Sequence, residues 1–123
     1  MSKPECGTAD HPKRGRARLV NDEAIERASR LFRALGEPSR LRILAALSQG
    51  EACVTELAAA SEESLSAVSQ RLRVLRAENI VVRRRDGKHI NYALADQHVT
   101  DLVFNALAHA SENPARRKTT PAK

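Results

Sequence analysis

Apolar residues recur at helical spacing from Asp22 onward, and glycines and prolines divide the pattern into five helices and a hairpin. Asn21 or Asp22 caps a first helix whose apolar stripe is Ile25, Ala28, Phe32 and Leu35, and Gly36 ends it. Pro38, with Glu37 just before it, opens a second helix that buries Leu41, Leu44, Ala45 and Leu47 before Gly50 closes it. A short third helix over about 54–60 turns Leu57 and Ala58 inward. In SLSAVSQRLRVLRAE, from Ser64 to Glu78, Leu65, Val68, Leu72 and Leu75 share one face, and Ser66, Ser69, Gln70, Arg73 and Ala77 lie opposite. VVRRR and KHINYAL then flank Asp86-Gly87, a strong short-range hairpin signal. A last helix from Asp96 to about Asn113 carries Val99, Leu102, Val103, Ala106, Leu107 and Ala110, more apolar surface than the edge of one small domain needs. The order predicts a mainly α fold with a small β-hairpin (α+β), a winged helix-turn-helix that dimerises through its terminal helices.

Composition supports pairing. Aromatics are 2% of 123 residues, with no Trp, so the core must be aliphatic and is modest for a chain that folds alone. The formal charge of +6 is unevenly placed: residues 1–20 carry +3, 114–123 carry +4, and 21–113 carry −1. The chain therefore reads as a flexible basic arm (1–20), one folded domain (21–113) and a flexible basic tail (114–123). Within the domain, Arg71 to Lys88 holds a local +5, which marks a polyanion partner. With no membrane span or signal peptide legible, the expected location is cytoplasmic, and Cys6 and Cys53 are read as reduced thiols.

In a helix-turn-helix the second helix enters the major groove and its first turns meet base edges. Ser66, Ser69, Gln70, Arg71 and Arg73 are the candidates there: Gln suits adenine, Arg suits guanine, and serines suit bases or phosphates. Arg83, Arg84, Arg85 and Lys88 on the hairpin are placed to hold the phosphate backbone of double-stranded DNA. The plainer reading makes both sets the solvated faces of a small α+β domain. Polar helix face, basic wing and element order agree better with DNA.

Asp96, His98, His109 and Glu112 form a second constellation. His109 and Glu112, three apart on a helix, can converge. Asp96 and His98 would point about 160° apart in mid-helix, and converge only if Asp96 is an N-cap with non-helical dihedrals. His98 and His109 stand about 16 Å apart along the axis, too far for one Zn(II) with ligands at about 2.0–2.2 Å. Antiparallel pairing of this helix with its copy brings Asp96 and His98 of one subunit beside His109 and Glu112 of the other, a four-donor N/O set in two equivalent sites. The plainer reading is an N-cap and a solvated His/Glu pair. Cys53 and Glu56, joined by Cys6 and His11 of the arm, could form a further site for Cd(II) or Pb(II), although a lone Cys53 is more often a small buried residue.

From about Phe32 to Glu112 the chain resembles the ArsR/SmtB family of metal-responsive winged-helix repressors, and within it the zinc-sensing SmtB branch. ALGEPSRLRILAAL, ACVTELA, SAVSQRLRVLR and DGKHINYAL carry the likeness. The family's zinc pattern, Asp-x-His, ten residues, then His-x-x-Glu, is matched at Asp96, His98, His109 and Glu112. The resemblance implies a metal-free dimer that holds operator DNA and is released by zinc, derepressing efflux or sequestration genes. It also implies a hydrogen bond from the non-ligating nitrogen of His109 toward the recognition-helix region. Thr55 stands where thiolate-sensing relatives have a second cysteine, so a four-thiolate site is not available. Glu62 and Glu63 occupy a turn where relatives often have Gly and an apolar residue. No catalytic function is expected, because closed four-ligand coordination leaves no open position for substrate. A Cd(II)/Pb(II) sensor and a winged-helix DNA-binding protein that senses no metal are the alternatives.

Overall fold

A computed structural model describes residues 21–112, so the N-terminal arm with Cys6 and His11, and the basic C-terminal tail, lie outside the described residues. In order, the elements are α1 (Asp22–Leu35), α2 (Pro38–Leu47), α3 (Val54–Ser61), α4 (Leu65–Ala77), β1 (Val81–Asp86), β2 (His89–Leu94) and α5 (Gln97–Ser111).

Local chemistry accounts for most boundaries. Asn21 caps α1 by accepting from Ala24 N–H at 3.0 Å, and Asp22 and Glu23 place negative charge in its first turn. Glu37 caps α2 ahead of Pro38. The Arg40 N–H that its carboxylate accepts, with smaller help from Ser39 N–H and the Arg40 and Arg71 guanidinium groups, holds Glu37 below its ordinary pKa against an opposing desolvation. Arg40 also donates from Nε to the Ala34 carbonyl and from Nη2 to that of Arg33, at 2.8 and 3.3 Å, which ties the end of α1 to the start of α2. At the end of α4, Asn79 takes a left-handed conformation (φ 60°). Asn79 N–H donates to Arg76 O, and Ile80 N–H donates back to Leu75 O. This Schellman ending brings the buried Ile80 and Leu75 together and launches β1.

β1 and β2 pair antiparallel from Val81↔Leu94 to Asp86↔His89. The two-residue loop is therefore Gly87-Lys88, one position later than Asp86-Gly87, with positive φ only at Gly87 (66°). That combination is the mark of a II′-type hairpin. Ala52 bridges to the other edge of β2 through paired hydrogen bonds with Tyr92, at 3.1 and 2.8 Å, extending the wing toward α3.

The core holds Ile43, Leu44 and Leu47 of α2, Leu57 and Ala58 of α3, and Val68, Leu72 and Leu75 of α4, with Ile80, Val81, Tyr92, Val99 and Val103. Helix α2 is its hub, packing against α1, α3, α4, α5 and β2. Several stripe expectations need correction. Ile25 (52% exposed) and Phe32 (58%) of α1 stand in solvent, and so does Leu65 (54%) of α4. Leu41 and Ala45 are only half-buried, whereas Ile43, outside the expected stripe, is fully covered. Ala106 and Ala110 are exposed, and α5 ends at Ser111, so Glu112 lies beyond the last helical residue.

Glu62 closes α3 in the left-handed region (φ 57°, ψ 43°) and its N–H donates to Ala58 O. This is the backbone that glycine adopts without penalty, so the turn keeps its geometry at a conformational cost. Glu62→Gly is expected to stabilise the fold by about 0.5–1 kcal/mol, the relief of strain exceeding the added freedom of the unfolded chain. Thermal melts at fixed protein concentration check this; an unchanged or lower Tm would show that the position carries no strain.

Candidate functional site

Helix α4 starts at Ser64, whose hydroxyl accepts from Ala67 N–H at 3.1 Å. It is anchored by Val68, Leu72 and Leu75, none more than 1% exposed. Burial of that face turns Ser66, Ser69, Gln70, Arg73 and Ala77 outward, all exposed, as the spacing requires. Arg71 behaves differently. It is half-buried and forms an ion pair with Glu63, eight residues back in the turn between α3 and α4. A carboxylate already occupies this guanidinium, so Arg71 locks the turn to the recognition helix while Gln70 and Arg73 face outward.

Strand alternation divides the wing arginines. Arg83 and Arg85 project from one face and line a shallow cleft with Ile90. Arg84 projects from the other and meets Glu51 at 2.9 Å. Lys88 sits in the turn at the tip. All four are exposed. Glu51 and Glu63 were not among the expected site residues. Their partners stand in other elements, and one-dimensional spacing carries no signal for such pairs.

Asp96 is the N-cap of α5, with extended backbone (φ −160°, ψ −179°) and Oδ1 accepting from Val99 N–H at 3.0 Å. This is the arrangement that lets it turn toward His98, whose Nδ1 lies 3.9 Å from the same oxygen. That separation is too long for a hydrogen bond and short enough for two donors to share an ion. The His98 side chain is 97% exposed. His109 and Glu112 stand at the opposite end of α5, also exposed, and Glu112 N–H donates to His109 O at 3.2 Å. Among the described residues of one protomer no three His, Cys, Asp or Glu side chains converge as a metal cluster. Each pair offers one imidazole and one carboxylate, donors that suit Zn(II), at one end of a helix that presents Phe104 (65% exposed) to solvent. Cys53 is a half-buried free thiol at the N-cap of α3, and its backbone N–H donates to Glu56 Oε1 at 2.9 Å, a capping bond that does not involve the sulfur. No helix among the described residues is long and apolar enough to cross a membrane.

The arrangement agrees with known proteins. Residues 37–82 match the model of the "Bacterial regulatory protein, arsR family". The chain is 44% identical to a transcriptional repressor SmtB homolog of Synechocystis sp., over 77% of this chain and 72% of that one. It is 35% identical to a cadmium resistance transcriptional regulatory protein CadC homolog of Staphylococcus aureus, over 91% and 96%. Among solved structures, a homodimeric winged helix-turn-helix DNA-binding domain from Mycobacterium bovis superposes with a TM-score of 0.67 at 30% identity, covering 85% of this chain and 92% of that one. Fold, exposed recognition helix, basic wing and these likenesses agree: the chain belongs to the arsR family of bacterial regulatory proteins, and is a DNA-binding winged-helix transcriptional repressor rather than an enzyme.

Proposed function

We propose that the chain is a homodimeric, metal-responsive repressor that holds operator DNA in its metal-free form and is released by Zn(II). Asp96 and His98 of one protomer and His109 and Glu112 of the other hold the ion. The observation that carries this reading is the extended N-cap of α5, which sets Asp96 and His98 side by side at one end of a helix whose other end carries His109 and Glu112.

The dimer seam follows from what each helix leaves uncovered. Helix α1 packs chiefly on α2, and α5 on α2 and β2, while Ile25, Phe32 and Phe104 stand exposed on them. Large apolar side chains on two terminal helices fit a self-complementary two-fold interface. Ser66, Ser69, Gln70 and Arg73 of each protomer meet base edges in successive major grooves; Arg83, Arg85 and Lys88 hold phosphates. Two-fold operator recognition needs recognition helices about 34–36 Å apart. Bound zinc supplies a cross-link between the two α5 helices. Because α5 packs on α2 and α2 on α4, the placement of α5 sets the placement of α4. Zinc affinity is then higher for the free dimer than for the DNA complex, and the effect is reciprocal. Release derepresses genes for metal efflux or sequestration.

A second reading draws on the Glu56–Cys53 hydrogen bond and the Staphylococcus aureus relative. In it, Cys53 and Glu56 with Cys6 and His11 take Cd(II) or Pb(II), for which thiolate is the better donor.

Mixed dimers test the shared site. One protomer carries Asp96→Ala with His98→Ala, the other His109→Ala with Glu112→Ala, and two affinity tags isolate the heterodimer. Symmetry leaves this dimer one complete site, the wild type two, and each variant homodimer none. Zinc retention in dialysis at micromolar free metal should follow that series. A heterodimer as empty as the two variant homodimers would show that the four ligands are not shared across the dimer.

A further inference from the structure

Leu65 is the first residue of α4, and the apolar stripe of that helix would bury it with Val68, Leu72 and Leu75. It is instead 54% exposed, while those three are at most 1% exposed. The dimer seam does not account for this. Helix α1 meets α4 at its far end, where Arg30 Nε lies 3.6 Å from Glu78 Oε1. Leu65 is thirteen residues from Glu78, about 20 Å along the axis. It stands at the border of the apolar and polar faces, one turn before Ser69 and about 40° round the axis from it, and next to Ser66, both exposed. Helical side chains lean toward the helix N-terminus, so the leucine leans toward the end that enters the groove. The first turn of α4 holds no carboxylate to repel phosphates.

We propose that Leu65 is a specificity-determining residue that packs against the C5-methyl group of a thymine in the major groove. The inference rests on the reading of α4 as the groove helix. Major-groove thymine is the base that presents a methyl group, and an apolar side chain among hydroxyls discriminates it from cytosine without any hydrogen bond. An exposed leucine that is costly to hydrate in the free protein becomes favourable once the methyl covers it.

The test uses the full-length protein in EDTA and duplexes enriched by it from a randomised pool, synthesised with thymine or with deoxyuridine, which lacks only the methyl. Wild type is expected to bind the uracil duplex about four-fold more weakly for each half-site, the effect of one buried methyl group, and about fifteen-fold overall for two. Leu65→Ala should lose about as much on the thymine duplex and show little further loss on uracil; Leu65→Val should recover part of the discrimination. Circular dichroism melts confirm that the variants fold, as an exposed first-turn site allows. Equal sensitivity of wild type and Leu65→Ala to uracil, or wild-type indifference to it, would overturn the proposal. Gln70→Ala separates the two readings: if it weakens binding while methyl removal does not, α4 lies in the groove and only the role of Leu65 fails. If neither changes binding, the groove reading fails with it.

Discussion

His109→Ala is expected to leave metal-free DNA affinity nearly unchanged and to abolish zinc-induced release. In wild type, zinc should lower DNA affinity by a factor within the range of about 5–150 typical of coupled sites; in the variant the ratio should fall to about one. The side chain is exposed at the end of α5 and makes no packing contact that the core needs, so stability should move by no more than about 0.5 kcal/mol. Loss of one imidazole leaves three donors for an ion that prefers four. Anisotropy titrations of a labelled operator with and without zinc read the ratio directly, and zinc retention measured beside them separates two roles. A variant that binds zinc but keeps its DNA assigns His109 to transmission, through its non-ligating nitrogen; one that keeps its DNA because it no longer retains zinc assigns it to ligation. Zinc that still releases the variant would move the regulatory site elsewhere, and the same titration on Cys53→Ser would then test the start of α3.

The elements and the site were legible to different degrees. Val68, Leu72 and Leu75, Leu57 and Ala58, the Glu37-Pro38 helix start and the Asp96 cap follow from spacing and capping chemistry, which act within a few residues. What covers an apolar stripe is not local. Ile25, Phe32 and Leu65 fit a helical period as well as any core residue, yet each is more than half exposed, because periodicity marks a face that needs a partner without saying which. The hairpin loop falls one residue late because pairing of Asp86 with His89 sets the register, and Asp-Gly and Gly-Lys both permit a tight turn. Arg71 read as one more cation on the recognition helix, and only the fold reveals that Glu63 comes to it across the turn. The candidate metal ligands show the same divide: the cap that sets Asp96 beside His98 is local and is seen in the fold, whereas the union with His109 and Glu112, which the spacing also suggests, rests on a second chain.

Leu44→Ala should be the most destabilising of these changes, and its reason lies in the element whose stripe was misjudged. Ile43, Leu44 and Leu47 of α2 are buried on one arc of about 100°, and the half-buried Leu41, Ala45 and Ala46 extend the cover beyond both edges of it. A helix that touches α1, α3, α4, α5 and β2 is approached from several sides, so its apolar residues need not keep to one face. Leu44 is 0% exposed at this crossing. Truncation there removes contacts to several elements at once and leaves a cavity that cannot collapse from one side, which places the cost in the upper part of the range of about 2–5 kcal/mol for buried leucines. Against a stability of about 5–15 kcal/mol this is a large share, and Tm should fall by roughly 15–25 °C for a domain of about this size. Leu41→Ala, one turn earlier on the same helix and half-buried, should cost less than half as much. Melts of both variants at one protein concentration, with zinc removed so that ligand binding does not mask the loss, make the comparison. Equal losses from the two would mean that α2 is covered evenly and that the domain has no single packing centre. A large loss from Leu44→Ala alone would make the buried face of α2, on which both α4 and α5 dock, the packing centre of the domain.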